Sequence, residues 1–207
     1  MRKYLIISLL ASYSIVFAGE SEDFKTVDNL YKERNFKAAL LESEKFLQKY
    51  PESKHQKSMR DKVAKIYFLE ENYKKAEEIF KKLFTMEEKQ SQKDEYASYL
   101  ARANALLNNS DSAMFYVREI KDKKIFQKTF FAVAQNFLAK ENNEAALKAY
   151  REIIDNKYES YKESMMGLGI VYYNLKDYDK AIYWLSEFSK ELPNENKEMV
   201  SYLRASA

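Results

Sequence analysis

Read only for apolar and polar positions, the chain repeats itself. A four-residue tract that ends in alanine recurs as Phe36-Lys37-Ala38-Ala39, Tyr73-Lys74-Lys75-Ala76, Ser110-Asp111-Ser112-Ala113, Asn143-Glu144-Ala145-Ala146 and Tyr178-Asp179-Lys180-Ala181. The alanines lie 37, 37, 33 and 35 residues apart. Twelve residues before each stands another small residue, Ala64, Ala101, Ala134 or Gly169, and only the first copy departs, with Val27. Around these anchors the apolar residues keep helical spacing. Val63, Ile66 and Tyr67 precede a short polar turn, and Ile79, Phe80 and Leu83 follow it. The pattern returns with Phe130, Val133 and Phe137, then Tyr150 and Ile153, and again with Leu168, Val171 and Tyr172, then Ile182, Leu185 and Phe188. Each copy therefore predicts two helices, A and B, each with a small residue at a fixed place. A hairpin of this kind cannot bury its own apolar face, so the copies must stack.

The turns predicted between A and B are Glu71-Asn72, Asn108-Asn109, Glu141-Asn142 and Lys176-Asp177. Pro51 and Pro193 mark the ends of B helices, because proline has no N–H to continue one. Three glycines and two prolines in 207 residues favour long helices with short polar turns over sheets. The repeats fall at approximately 20–53, 57–90, 94–127, 127–160 and 162–195, and the longer spacings place extra residues around Met86 to Lys93 and at Lys54-His55-Gln56. Residues 196–207 add one short helical pattern, Met199, Tyr202 and Leu203, expected to cap the last apolar edge. No linker rich in Gly, Ser or Pro interrupts 19–207, so one continuous domain is expected.

The fifth copy carries Met165-x2-Leu168-Gly169-x2-Tyr172, then Ala181-x3-Leu185, then Pro193. This resembles the W-x2-L-G-x2-Y…A-x3-F…P pattern of the tetratricopeptide repeat (TPR) family, with Met and Leu for Trp and Phe. The resemblance covers residues 20–195 and is weakest in the third copy, where Asn104 replaces the helix-A tyrosine. It implies an all-α fold, a right-handed TPR α-solenoid of about five helical hairpins plus a C-terminal capping helix. The joint Phe46-Leu47-Gln48-Lys49-Tyr50-Pro51-Glu52-Ser53 is also similar to joints in bacterial envelope and periplasmic TPR proteins.

Residues 1–18 have the plan of a secretory signal peptide: Arg2 and Lys3, an apolar run from Tyr4 to Phe17, and Val16-Phe17-Ala18 before Gly19. The run is shorter than the roughly 20 residues that span a bilayer, so cleavage is expected over an uncleaved inner-membrane anchor. Without this segment 33 basic residues face 32 acidic ones, a balance that argues against nucleic acid or an anionic membrane as the main partner. The chain has no cysteine, hence no disulfide and no thiol for a lipid anchor. A periplasmic location follows as the expectation, with membrane association only indirect.

Little in the sequence offers catalysis. The single histidine, His55, lies in a polar joint, and Gly19, Gly167 and Gly169 form no phosphate loop. A metal site needs several converging ligands, and none is expected; neither is a cofactor. Most of the seventeen tyrosines and thirteen phenylalanines occupy positions that a TPR buries, and Trp184 is expected to pack between neighbouring repeats.

The resemblance further implies that A helices line a concave groove with their second, fifth, ninth and twelfth residues. In this chain these are Ser58, Asp61, Lys65 and Phe68; Glu95, Ser98, Arg102 and Ala105; Lys128, Phe131, Gln135 and Leu138; and Glu163, Met166, Ile170 and Tyr173. The peptide-groove candidates are accordingly Lys65, Phe68, Arg102, Phe131, Gln135, Leu138, Met166, Ile170 and Tyr173. Lys65 and Arg102 lack the asparagines of a carboxylate clamp, which leaves a bulky apolar peptide of some acidic character as the partner they suit. The function expected is a non-catalytic exported scaffold or assembly adaptor of the bacterial cell envelope. The alternatives are a structural subunit of a membrane-associated complex and an accessory to a peptidoglycan-acting enzyme.

Overall fold

The computed structural model describes residues 19–191, and these form ten helices joined by short turns. They are α1 (19–32), α2 (Phe36–Lys49), α3 (Gln56–Leu69), α4 (Tyr73–Met86), α5 (Gln90–Leu106), α6 (Ser110–Glu119), α7 (Lys123–Ala139), α8 (Asn143–Asp155), α9 (Tyr161–Asn174) and α10 (Tyr178–Lys190). Odd-numbered helices are the A helices and even-numbered ones the B helices, so the described residues are all-α. The expected signal peptide and capping helix lie outside them. The helices fall into two compact units, divided between Ile79 and Phe80.

The crossing anchors are buried throughout. Ala39, Ala76, Ala113, Ala146 and Ala181 are fully covered, as are Val27, Ala64, Ala101 and Ala134, and Gly169 is buried as well. Gly169 shows why: a Cβ there would stand 2.7 Å from Leu185 Cγ and 3.5 Å from the Ala181 carbonyl. In the first unit Val27, Phe46, Tyr50 and Met59 form the core of the first hairpin and its joint, with Phe24 and Leu47 packed against it. In the second, Phe80, Tyr96, Leu100, Phe130, Phe137, Tyr150, Ile153 and Leu168 are the large buried side chains.

The A–B turns share one geometry. Five residues before each anchor alanine stands a residue with positive φ, namely Arg34, Glu71, Asn108, Glu141 or Lys176. The next residue's N–H reaches back to the A helix, for example Asn142 N to Phe137 O at 2.9 Å and Asp177 N to Tyr172 O at 2.9 Å. This closes the A helix in a Schellman motif, without the glycine usual there. The residue that closes A then opens B. Asn35, Asn142 and Asp177 accept from the third N–H of their B helices, as Asn72 does from Lys75 N at 3.3 Å, which satisfies an orphan donor. Asn109 alone makes no such side-chain cap.

A helices also hold the joint that follows their own hairpin. Glu20 accepts from the Ser53 hydroxyl at 2.5 Å, and Asp23 accepts from Tyr50 Oη at 2.8 Å and Lys49 Nζ at 2.9 Å. Buried Asp94 accepts from Lys121 N at 3.0 Å and Asp122 N at 2.9 Å, and Gln127 from Glu159 N at 3.2 Å. The Tyr-Pro-x-Ser tract thus has a physical role: Tyr50 and Ser53 both tie the joint to α1. His55 lies in the same joint, stacked on Phe24 at 4.1 Å.

Three expectations need correction. Tyr67 and Ile79 are half-buried rather than core, and Ile182 is 36% exposed, because among the described residues no further A helix covers that side of α10. The extra length expected around Met86 to Lys93 falls partly in the short joint 87–89 and partly in the first turn of the next helix. That helix, α5, starts at Gln90 and runs for 17 residues. Likewise α7 starts at Lys123 rather than near 127, and α6 is cut to 10 residues.

Candidate functional site

In the second unit α5, α7 and α9 are the A helices that would line a groove. They are not evenly stitched together. Ser98 and Thr129 share a hydroxyl–hydroxyl hydrogen bond of 2.7 Å, and Asn136 donates to the Arg102 carbonyl at 3.4 Å, so α5 lies close along α7. Between α7 and α9 contact is sparse. The wider separation is therefore between these two helices, where Gln135 and Tyr173 are exposed and Leu138 and Ile170 half-buried. Tyr173 is 44% exposed and meets Tyr178 edge-on, with ring centroids 5.7 Å apart.

The other candidates are placed differently. Phe68 is only 7% exposed, edge-on to Tyr73 of its own hairpin at 5.4 Å, so it is a core residue and offers no groove surface. Met166 packs against the Leu185 and Phe188 cluster. Phe131 is half-buried, 6.3 Å from the ring of buried Tyr150. Both therefore lean on their own B helices, since a side chain on an A helix points partly towards its hairpin partner. Lys65 is paired with Asp61 at 2.9 Å, within the first unit. Arg102, in the second, lies over the Tyr99 ring at 6.0 Å. The hydroxyl of Tyr150 is pushed up to about 12 by burial, because the surroundings disfavour the phenolate. Nothing in this arrangement assembles a nucleophile with a base. Among the described residues no group of three or more His, Cys, Asp or Glu could hold a metal ion, and no helix is long and apolar enough to cross a membrane.

Reasoning from sequence missed the stitch between α5 and α7. Its signal is Ser98, Thr129 and Asn136, small polar residues on faces otherwise read as groove or core.

The tetratricopeptide repeat family matches residues 131–196, which cover α8, α9, α10 and part of α7. The fold is similar to the crystal structure of MamA protein, at 16% identity and a TM-score of 0.61, with 83% of this chain and 90% of that one covered. It is also similar to a tetratricopeptide repeat protein from Parabacteroides merdae (12% identity, TM-score 0.63, 90% and 71% covered). A third similar structure is YrrB, described as a TPR protein with an unusual peptide-binding site (15%, 0.59, 89% and 91%). No curated protein sequence matches the chain. Residues 131–196 thus match the tetratricopeptide repeat family, and the described residues have the all-α fold of a TPR solenoid.

Proposed function

We propose that this protein is an exported adaptor that displays the opening between α7 and α9 to a peptide segment of a protein partner. The observation that carries the reading is the placement of exposed Tyr173 and Gln135 beside half-buried Leu138 and Ile170, where the A helices part. A groove with an apolar wall and a few polar positions suits an extended or helical segment with one or two bulky anchors. The peptide-binding site named for YrrB supports the same class of ligand. Export rests on the plan of residues 1–18, and the absence of cysteine fits an adaptor that carries no lipid of its own. The bacterial envelope is the setting proposed.

The test has two parts. N-terminal sequencing of protein from its native host should begin at Gly19; a retained Met1 or Arg2 favours an anchored subunit instead. Partners captured by crosslinking in the same cells should bind the purified chain, and Ile170→Lys or Tyr173→Ala should weaken that binding about 30-fold, the equivalent of ~2 kcal/mol for an interface anchor. Both positions are open enough to leave helical content unchanged. Met166→Lys is unsuitable as a probe because Met166 supports the Leu185 and Phe188 core. Binding that survives both changes in a folded protein moves the site away from this groove.

A further inference from the structure

On the B-helix side of the second unit, α6 and α8 both pack on α7 and leave a cleft of about 440 Å³ between them, within the ~300–1,000 Å³ of ligand pockets. It runs from Ser110 and Asn142 to Arg118 and Glu152. Eight residues along α6 correspond to roughly 12 Å, about two helical turns.

The sequence explains why the space is there. Aligned on the anchor alanine, the position just before it and the position three after it are Ala145 and Ala149 in the fourth repeat. The other B helices carry Ala38 and Glu42, Lys75 and Ile79, Ser112 and Tyr116, or Lys180 and Trp184. Only the fourth presents a bare methyl at both, and its neighbour α6 stops after 10 residues. The floor is apolar, made by Met114, Ala145, Ala149 and, from α7, Phe137. The rim is charged. Lys148 pairs with Glu144 at 2.7 Å and also feels the charge of Asp111, and Arg118 faces Glu152 at 4.0 Å, so three carboxylates meet two cations and Asp111 is the one without a close ion pair.

We infer that this cleft is a second peptide-binding site, independent of the groove between α7 and α9. It fits a short segment that sets one bulky aliphatic or aromatic side chain over Ala145 and Ala149 and a lysine or arginine beside Asp111. The apolar floor receives the bulky side chain, and the surplus negative charge of the rim selects a cationic neighbour.

A random 12-residue peptide library displayed on phage, panned against the full chain, tests the inference. Enriched sequences should combine a bulky apolar residue with Lys or Arg. A synthetic peptide of that sequence should bind at least 10-fold more weakly to Ala145→Trp, which fills the cleft. It should bind several-fold more weakly to Asp111→Lys, a change confined to the rim, and equally well to Ile170→Lys in the groove. Acidic or apolar-free winners overturn the inference. So does a library without winners, or peptides that bind Ala145→Trp and Asp111→Lys as tightly as the unaltered chain.

Discussion

The first and fifth hairpins are built on one plan and held by different chemistry. In the fifth, Gly169 faces Ala181 and Leu185 so closely that a Cβ has no room, and the hairpin is locked by backbone approach. In the first, the same position is Val27, fully buried in a cluster with Phe46, Tyr50 and Met59. There the joint to α3 is held by side chains: Asp23 with Tyr50 and Lys49, and Glu20 with Ser53. The difference teaches that the repeat period specifies where helices cross and leaves open how closely. A glycine crossing stores its stability in packing, whereas a valine crossing fills the space and adds polar ties. The two hairpins should therefore fail in different ways.

The largest expected effect breaks the fifth hairpin. Ala181→Glu places a carboxylate where two backbones meet, with neither room nor partner, and should cost roughly 4 kcal/mol or more. Gly169→Leu should cost about 3 kcal/mol through overpacking against Leu185 and the Ala181 carbonyl. Val27→Leu adds a single methylene to a filled site and should cost about 1 kcal/mol. Thermal unfolding followed by circular dichroism gives all three. Equal losses at 169 and 27 would show that both crossings are equally tight, contrary to the contrast drawn above.

Next in size is an alkaline effect confined to the second unit. Tyr150 lies under α9, where a Cβ on Gly167 would come within 2.5 Å of its ring. Its ionisation is raised from 10.0 to about 12 by burial. In the unfolded chain the phenol loses its proton first, so stability from the buried neutral form is complete below pH 10 and lost as the pH rises towards 12. Two pH units correspond to on the order of 2–3 kcal/mol. Denaturant melts of the unaltered chain and Tyr150→Phe at pH 9 and pH 11.5 should diverge by about 2 kcal/mol, and parallel curves would sink the assignment.

Much of this was legible from sequence, and the reasons for the remainder are specific. The anchors could be read because a crossing point tolerates few side chains, so alanine and glycine recur at fixed distance. The A–B turns were located at the right residues, but their left-handed positions carry Arg34, Glu71, Glu141 and Lys176, residues that give no hint of positive φ. Groove register was harder. Phe68 and Met166 occupy the positions that the family pattern assigns to the groove, yet an A helix turned slightly towards its B helix buries them. Ile182 shows the converse, since a residue is core only if a next helix lies over it. The cleft between α6 and α8 was visible in principle as two alanines flanking one anchor, and comparing all five B helices at those two positions would have found it.

The polar ties of the first hairpin sharpen the comparison at smaller scale. Hydrogen bonds from Lys49 and then Tyr50 hold the Asp23 carboxyl below its ordinary 3.8. A depressed carboxylate contributes stability that is complete above its unfolded value, so the contribution begins to fall near pH 3.8 and is lost as the pH drops through the lower folded value. Tyr50→Phe removes one bond and should cost about 1 kcal/mol at pH 7, with a smaller penalty in acid, where Asp23 no longer bears charge. Leu185→Ile, a change of shape in the fifth hairpin, should cost the same at both pH values.

The smallest effect should be a gain, equal in the two hairpins. Arg34 has φ 60 and Lys176 has φ 61, both left-handed, where an L side chain costs roughly 1–2 kcal/mol. Glycine removes that cost and adds about 0.5–1 kcal/mol of backbone entropy in the unfolded chain. Arg34→Gly and Lys176→Gly should therefore each stabilise by about 0.5–1 kcal/mol. Asn108→Gly should gain less, since asparagine tolerates this conformation. The turn is the one feature that both hairpins build identically, whatever their crossings do. A gain at one position and a loss at the other would mean that the crossing distance also strains the turn, and would extend the contrast from packing to backbone.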